Sequence, residues 1–319
     1  MDAFGDLFRG VRAQGSLFGS STLTAPWSLR FVDGAPLTLC TVLDGGGWIV
    51  PDGHPPEHLA PGDTVIVRGP ARFSFVDEIG TAAGPIECGE FCAVPELGGT
   101  RHRLGWHDAA IDAPGSTTLV TGAYPVTGEI GRRLLDALPE VLRLEPDDTA
   151  DPVRALLAAE VAVDAPGQQV VLDRLLDWLL VCSLRVWFDR PGGAPPAWYS
   201  AHRDRVVGHA LRLLHAEPAA PWTVAALADR AGVSRATLAK RFTELVGEPP
   251  LTYLTHWRMT LAADLLTGPD AATIAEVART VGYSDAFGFS AAFKRVRGVT
   301  PSDFRRTGGG VPAGAERSG

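Results

Sequence analysis

Basic side chains cluster after two Gly-X-Ser triplets that lie 50 positions apart in this chain, at 232–234 and 282–284. The clustered residues are Arg235, Lys240 and Arg241 after the first triplet, and Lys294 and Arg295 after the second. Lys240 and Lys294 are the only lysines in the chain, a coincidence that surface scatter could also produce. Arginine and lysine donate hydrogen bonds to base-edge acceptors and phosphate oxygens. These residues therefore suit contact with a nucleic acid, provided that the elements around them present them together.

The triplets belong to a longer repeat that predicts how these side chains are positioned. Thr223 and Thr273 each open a segment with apolar residues at i and i+3, which is typical of one helix face. Each segment ends at a glycine that can take a left-handed turn, and the following serine is expected to cap a second helix. This is the helix-turn-helix plan, whose second helix enters a DNA major groove. Two copies in register, the second with one extra residue after Ser284, favour DNA binding over another helical hairpin.

Helix phase predicts which side chains face the DNA. The residues expected to contact it are Ser234, Arg235, Ala236, Thr237, Ala239, Lys240 and Arg241 in the first unit, and Ser284, Asp285, Phe287, Gly288, Ala291, Lys294 and Arg295 in the second. Arg241, Lys294, Arg295 and Arg297 are better placed for phosphates than for bases, although any one arginine could equally be a solvated surface charge.

The two units differ in what they can recognise. In the second, Asp285 can accept from cytosine and Phe287 can touch a thymine methyl, but no Arg, Asn or Gln is available for bidentate contacts to purines. We therefore predict that the first unit carries most of the direct base readout and that the second mainly anchors.

Charge is distributed unevenly along the 319 residues. Residues 201–306 hold 14 Lys+Arg and 10 Asp+Glu, a net +4, so the total of −8 leaves −12 for the remainder. The net positive charge of 201–306 favours binding to DNA, whereas the net negative charge of the remainder favours a different kind of partner. No apolar run reaches the roughly 18 residues of a membrane span, and the first residues lack the features of a secretion signal. We expect a cytoplasmic protein whose four cysteines are reduced thiols.

The sequence pattern from 30 to 126 is typical of an all-β domain. Short β-rich runs separated by Gly, Pro and Asp predict strands at 36–43, 47–50, 64–68, 72–76, 86–94 and 117–121, with a hairpin at 44–47. Many short strands at this spacing favour a barrel or sandwich.

Three segments of this region carry a family resemblance. They are Trp48-Ile-Val-Pro-Asp-Gly53, Leu59-Ala-Pro-Gly-Asp-Thr-Val-Ile-Val67 and Gly69-Pro-Ala-Arg-Phe-Ser-Phe75, which together resemble the cupin domain that precedes many AraC-type regulators. Metal-binding cupins supply two His and a Glu from early strands and a third His from a later one. This chain has no His-X-His in its first strands and has Arg72-Phe73 where the later His would stand, so no metal is expected. His54 and His58 could clasp a metal from a loop, but an exposed turn is the simpler interpretation.

After residue 127 the hydrophobic period becomes that of helices. We predict helices at 128–141, 151–163 and 168–188, followed by a linker at 190–196 that is rich in Pro and Gly. The third helix has an apolar stripe wider than one neighbour requires, so it is either buried within its own domain or pairs with a second protomer. It also resembles the helix found at this point in cupin-bearing AraC-type proteins.

The last hundred residues resemble the AraC/XylS family. The matching segments are Gly282-Tyr-Ser284, Phe289, Phe293-Lys-Arg295, Gly298-Val-Thr-Pro301 and Phe304-Arg-Arg306. Between the two units, 250–266 is predicted to form a long helix. The resemblance implies that this helix holds the recognition helices about one DNA turn apart, so that both enter successive major grooves.

Together these features predict an α+β protein in five parts. They are a cupin-like sensor barrel at 1–126, a helical connector with possible dimerisation at 127–190, a linker at 191–201, an all-α DNA-binding domain with two helix-turn-helix units at 202–307, and a disordered tail at 308–319. The predicted partners are a double-stranded DNA operator, a small-molecule effector and a second copy of the chain, with RNA polymerase as a further candidate. No cofactor is expected.

The sequence supports several hypotheses about the signal that the upstream domain senses. Trp48, Phe73 and Phe75 could line a ligand cavity in the barrel, although aromatic residues there are often plain core. Cys88 and Cys92 could form a redox switch if a turn brings them together, but Glu87 and Glu90 would hold the thiols protonated.

Two further functions would need no such signal. The chain could be a cupin enzyme fused to a DNA-binding module, or a DNA-binding protein with a purely architectural role. No Ser/His/Asp or Cys/His arrangement in the sequence supports catalysis, so we expect that the protein is not an enzyme.

Overall fold

The computed structural model describes residues 3–8, 11, 20–32, 35–82, 116–146, 149–163, 165–191, 195–268 and 272–308. The strands in these ranges are β1 Ser20–Thr24, β2 Ser28–Phe31, β3 Leu37–Asp44, β4 Gly47–Pro51, β5 Glu57–Leu59, β6 Thr64–Arg68, β7 Phe73–Val76, β8 Ser116–Tyr124 and β9 Val141–Leu144. The helices are α1 Ala3–Leu7, α2 Gly128–Leu135, α3 Asp151–Val161, α4 Gln168–Asp189, α5 Ala197–Ala201, α6 Arg205–Ala216, α7 Val224–Arg230, α8 Arg235–Val246, α9 Pro250–Thr267, α10 Ile274–Thr280, α11 Ala286–Arg297 and α12 Pro301–Arg306. None of them is long and apolar enough to cross a membrane.

These elements sort into two compact units. The β-rich unit holds the nine strands together with α3 and α4, and the helical unit holds α1, α2 as far as Leu134, and every helix from α5 to α12. The sequence-based domain limits remain predictions, but the grouping of α1 and α2 with the helical unit was not anticipated.

The β-rich unit contains two antiparallel sheets, with strand orders β1-β8-β3-β6-β9 and β2-β7-β4-β5. Cys40 and Val65 on the first sheet and Phe73 and Phe75 on the second belong to one buried apolar cluster. The inward side chains of the two sheets thus share a single core, since alternate residues of a strand point to opposite faces. The predicted β-rich domain of many short strands is confirmed.

The segment at 44–47 is not the hairpin that its glycines suggested. β3 pairs with β6 and β8, whereas β4 pairs with β5 and β7, so the chain turns a corner from one sheet to the other. Gly45 has φ +75°, and a Cβ there would lie 2.6 Å from Thr117 Oγ1. Thr117 also donates to the Gly46 carbonyl at 2.8 Å. This close approach to β8 explains the glycine at position 45.

The predicted helix at 128–141 is only partly correct. α2 ends at Leu135, and 141–144 forms β9, which pairs with β6 at the edge of the first sheet. Pro139 cannot continue a helix, and beyond it Leu142 and Leu144 are buried while their neighbours Val141 and Arg143 are less so. That period of two is the strand signal that the sequence interpretation missed.

α3 and α4 form the rest of the connector, close to the predicted bounds. One side of α4 is buried at Leu172, Leu176 and Leu180, and Tyr124 in β8 donates a hydrogen bond to the Leu176 carbonyl at 2.8 Å. Its other side carries exposed apolar residues among polar ones such as Arg174 and Arg185. The exposed large apolar residues of α3, α4 and their connection are Leu156, Val163, Val170, Val171 and Trp178.

The helical unit has two apolar cores. The first is formed by α5 to α8 and the start of α9, and the second by the rest of α9 with α10 to α12. Both predicted helix-turn-helix units are present, with left-handed glycines at Gly232 (φ +68°) and Gly282 (φ +87°) in the two turns. α9 is the element that contributes to both cores.

α1 packs inside the helical unit through a buried polar chain. Asp6 Oδ2 lies 2.7 Å from His215 Nδ1 on α6, and His215 Nε2 lies 2.7 Å from the hydroxyl of Tyr253 on α9. All three residues are buried. Polar groups removed from water must find partners, so these contacts hold α1 in register on α6 and α9.

Candidate DNA-binding surface

The first recognition helix, α8, is fixed by its cap and by two core residues. Ser234 Oγ accepts a hydrogen bond from the Thr237 amide at 3.1 Å, as the sequence predicts for an N-cap. Leu238 and Phe242 are fully buried one turn apart. The opposite face is therefore turned to solvent along the whole helix.

That solvent face carries hydrogen-bond donors at its N-terminal end. Arg235, Ala236, Thr237 and Lys240 are exposed, and Ala239 is half-buried between them. Lys240 Nζ lies 3.9 Å from Glu244, but both side chains are well exposed and water screens such a pair strongly. Arginine, threonine and lysine are thus available where a recognition helix presents its first turns to base edges.

The second recognition helix, α11, uses a different cap from the predicted one. Ser284 was expected to cap it, but the cap is Asp285, whose Oδ1 accepts from the Gly288 amide at 2.7 Å. The extra residue after Ser284 moves the capping position by one. The hydrogen bond from the Gly288 amide holds the pKa of Asp285 below its usual range. Asp285 is thereby an ionised cap, with less capacity left to accept from a cytosine.

The exposed face of α11 is apolar near its start and basic near its end. Phe287 is 86% exposed, Ala291 is exposed and Gly288 is half-buried. Lys294 and Arg295 are exposed in the last turn, and among the described residues no ion pair engages them. The core side of the helix is held by Phe289 and Phe293, both fully buried.

Two arginines that the sequence assigned to phosphates are instead held by carboxylates. Arg241 Nε donates to Asp204 Oδ2 at 2.8 Å, and Asp204 also accepts from the Val206 and Val207 amides as the N-cap of α6. Desolvation raises the pKa of Asp204, but the hydrogen bonds from Val207 and Arg241 outweigh it and the net shift is downward. Arg241 thus ties α8 to α6, which reduces its availability to DNA.

Arg297 is the second of these arginines. Its Nη1 donates to Glu129 Oε2 on α2 at 2.6 Å, and Nη2 lies 3.4 Å from Thr260 Oγ1 on α9. Its side chain is 22% exposed, against 17% for Glu129. A half-buried pair of this kind is screened less than a surface pair, so Glu129, which also pairs with Arg132 on α2, offsets positive charge at the end of the second recognition helix.

α2 is anchored beside this pair by a carboxylate on α9. Asp264 accepts from the amides of Glu129 at 2.5 Å and of Ile130 at 3.2 Å, so it caps the N-terminus of α2. Desolvation raises the pKa of Asp264, although the same two hydrogen bonds lower it. Gly128, with φ +76°, has no room for a Cβ, which would lie 2.6 Å from Asp264 Oδ1. Neither Glu129 nor Asp264 was singled out from sequence, because the two residues lie 135 positions apart.

The three proposed ligand-lining aromatics do not lie together. Phe73 and Phe75 are buried on the core face with Phe31, at centroid distances of 4.7 and 5.7 Å from it. Trp48 is half-buried and lies opposite Val76 in the strand pairing. Because Val76 directly follows Phe75, Val76 and Trp48 point to the face of the sheet opposite to Phe73 and Phe75. There Trp48 packs edge-on against His58, with 5.1 Å between the ring centroids. Phe73 and Phe75 thus behave as core residues, and a ligand pocket using Trp48 with them remains a prediction.

Candidate redox and metal residues are only partly within the described ranges. Cys88 and Cys92 lie outside them. Burial raises the pKa of the Cys40 thiol to about 12, although a hydrogen bond with Thr121 lowers it, and burial of this kind is typical of a structural cysteine. His54 Nε2 lies 3.2 Å from Glu140 Oε1, whereas His58 packs against the ring of Trp48. Among the residues described, no three His, Cys, Asp or Glu side chains are grouped as a metal site.

Comparison with known proteins agrees with both halves of this architecture. A family model described as a cupin matches residues 2–189, and one described as a helix-turn-helix domain matches residues 227–307. AraC-like transcription regulators of Streptomyces lividans and Streptomyces antibioticus are 34% and 33% identical over 312 residues, covering 96% of this chain and 98% and 99% of theirs. The solved structure of fatty-acid-bound ToxT from Vibrio cholerae is 12% identical with a TM-score of 0.35, over 90% of this chain and 93% of that one.

Two antiparallel sheets followed by paired helix-turn-helix units define the class as DNA-binding transcriptional regulators with an N-terminal cupin domain. The chain belongs to the family of AraC-like transcription regulators.

Proposed function

We propose that the protein binds a two-part operator, in which α8 carries most of the base recognition and α11 mainly anchors. The supporting observation is the unequal chemistry of the two exposed faces. Arg235, Thr237 and Lys240 give α8 donors for base edges, whereas α11 offers Phe287 and small residues near its start. A bidentate arginine contact is worth about 1–3 kcal/mol of base discrimination, and an apolar contact to a thymine methyl reads a single feature.

Lys294 and Arg295 supply the anchoring contacts in this proposal. They lie in the last turn of α11, where their charge is also favourable to the helix dipole, and they reach outward from the base-facing turn. Phosphate contacts of this kind fix position without sequence information. They also make binding depend on salt, because each neutralised phosphate releases counterions.

The cupin domain is the proposed regulatory part, responding to a small-molecule effector. α2 is the proposed coupling element, because it follows β8 in the chain after only three residues and its Glu129 pairs with Arg297 at the end of α11. A change at the end of β8 that moved α2 would release Arg297 and add a positive charge to the anchoring helix. An effector that moved α2 in this way would raise operator affinity, and an effector that held α2 in place would lower it.

We propose further that the regulator acts in the cytoplasm as a homodimer with RNA polymerase as a partner. The exposed apolar residues of α3 and α4, with Trp178 at 49% and Val170 at 61% exposure, support pairing with a second copy. Large apolar side chains left exposed on two neighbouring helices become buried if a second copy packs against them.

Selection of bound duplexes from a random oligonucleotide pool tests the proposal. The purified protein is expected to enrich two unequal half-sites about one DNA turn apart, and the affinity for the enriched duplex is expected to fall at least about tenfold between 50 and 200 mM salt. Arg235→Ala is expected to relax base preference in one half-site only, which identifies the half-site under α8. No enrichment, or enrichment of a single continuous site insensitive to Arg235→Ala, would contradict it.

A further inference from the structure

Each helix-turn-helix unit has a separate apolar core, and α9 is the element that contributes residues to both. Contacts that tie the two units together beside α9 add to what fixes the rotation of one unit against the other. Arg258 lies at the middle of α9, between the residues that enter the first core and those that enter the second.

Arg258 reaches from α9 to the loop between α6 and α7 of the first unit. Its Nε donates to the Pro218 carbonyl at 2.7 Å and its Nη2 donates to the Ala220 carbonyl at 2.9 Å. The loop is itself stiffened, because the Trp222 indole N–H donates to the Glu217 carbonyl at 2.9 Å. One guanidinium thus holds two carbonyls of a constrained loop, which fixes direction as well as distance.

The same loop touches the turn of the second unit. Gly282, with φ +87°, lies so close to Ala219 that a Cβ would be 2.6 Å from the Ala219 carbonyl oxygen. The neighbouring Tyr283 lies with its ring centroid 5.8 Å from the Arg258 guanidinium carbon and packs against Phe289 of α11 at 5.7 Å. The contacts therefore run from the first unit through Arg258 to the second recognition helix.

We infer that Arg258 is a positioning residue that sets the distance and angle between the two recognition helices. This inference rests on the proposed two-part operator. Arg258 touches no base in this account. It acts by keeping α8 and α11 in the geometry that one operator spacing requires, so that once α8 is bound, α11 meets its half-site at a high effective concentration.

Operator spacing provides the direct test. The probes are a duplex enriched by the wild-type protein, the same duplex with one base pair inserted or deleted between its half-sites, and a duplex keeping only the half-site under α8. One base pair shifts the half-sites by about 3.4 Å and rotates them by about 35°. The wild-type full-length protein is expected to lose at least about tenfold in affinity for either altered spacing.

Arg258→Met keeps the length of the side chain and removes its donors. We expect this variant to bind the unaltered duplex about 5–20-fold more weakly, to lose less than about threefold on a change of spacing, and to bind the single half-site as the wild type does. Arg212→Met, which removes an exposed arginine from α6, is the matched control and should keep the wild-type spacing penalty.

A wild-type spacing penalty in Arg258→Met would overturn the inference, and so would an equal loss on the single half-site. If Arg258→Met unfolds below the assay temperature, Arg258→Lys decides, because an ammonium can hold one carbonyl but not fork between two. Arg258→Lys should lose less affinity on a change of spacing than the wild type does, but more than the threefold limit expected for Arg258→Met. A loss as large as that of the wild type would overturn the inference. Failure of the two-part operator itself would appear separately, as wild-type binding that ignores base substitutions in one half.

Discussion

The two helix-turn-helix units share a plan but differ in the chemistry of their recognition helices. α8 has an uncharged cap in Ser234 and donors on its first turns, whereas α11 has an ionised cap in Asp285, an exposed Phe287, and basic residues confined to its end. Both helices bury two apolar residues four positions apart in equivalent ways. The comparison shows that a fold unit can keep its core positions while its cap shifts by one residue and the chemistry of its exposed positions changes.

The largest expected effects test what the units have in common. Phe242→Ala and Phe293→Ala each remove a fully buried ring from one of the two cores, and each is expected to cost about 3–5 kcal/mol in the free energy of unfolding. Denaturant unfolding monitored by circular dichroism measures the cost. Phe287→Ala is the matched control and should change stability by less than about 0.5 kcal/mol, since that ring is exposed. A small cost at one core position alone would mean that the two units are not equivalent structurally.

The next largest effect tests what separates the units. Arg235→Ala is expected to weaken operator binding by about 10–100-fold, corresponding to about 1–3 kcal/mol for a lost base contact. Phe287→Ala should weaken it by less than about fivefold, because an exposed ring on a thymine methyl offers a smaller contact. Fluorescence anisotropy with an enriched duplex measures both. The ranking of the two helices would be reversed if Phe287→Ala had the larger effect.

A smaller effect is expected where α2 meets the anchoring helix. Glu129→Gln removes the charge that pairs with Arg297, and should raise operator affinity by about 2–5-fold at low salt, with less gain at high salt. Asp136→Asn, an exposed carboxylate just after α2, is the control and should change affinity less. Unchanged or weaker binding by Glu129→Gln would argue that Arg297 serves the fold alone.

The smallest effect concerns the two caps and depends on pH. Because the folded-state pKa of Asp285 lies below its usual 3.8, its stabilisation is present above that value and is lost as pH falls through the lowered pKa. The difference in unfolding free energy between the wild type and Asp285→Ser should therefore shrink between about pH 5 and pH 3. Ser234→Ala, at the non-ionising cap, should give a difference that does not change over this range. A constant difference for Asp285→Ser would show that its charge does not matter to the cap.

Local patterns allowed the helix-turn-helix units and several strands to be predicted. β6 begins and ends where its run of β-branched residues predicted, and Gly232 and Gly282 take the left-handed turns that the repeat required. These features are set by neighbours within a few positions. The family was predicted for the same reason, since its motifs are short and lie at fixed spacing within the last hundred residues.

Features that depend on distant partners could not be predicted. β9 was not predicted, and the helix predicted at 128–141 ran into its first residue, because a four-residue strand at a sheet edge is stabilised by β6, about 77 positions earlier, more than by its own sequence. Arg241 and Arg297 were assigned to phosphates, yet Asp204 and Glu129 hold them in ion pairs. Helix phase predicts exposure but not which carboxylate of another element will approach.

A base-pair substitution scan tests the central claim most directly. Every position of an enriched duplex is changed in turn, and the affinity of the full-length protein for each duplex is measured at one salt concentration. The half-site under α8, identified by its relaxed preference in Arg235→Ala, should contain the positions with the largest losses, about 1–3 kcal/mol each. Equal or larger losses under α11 would contradict the division into a reading and an anchoring unit.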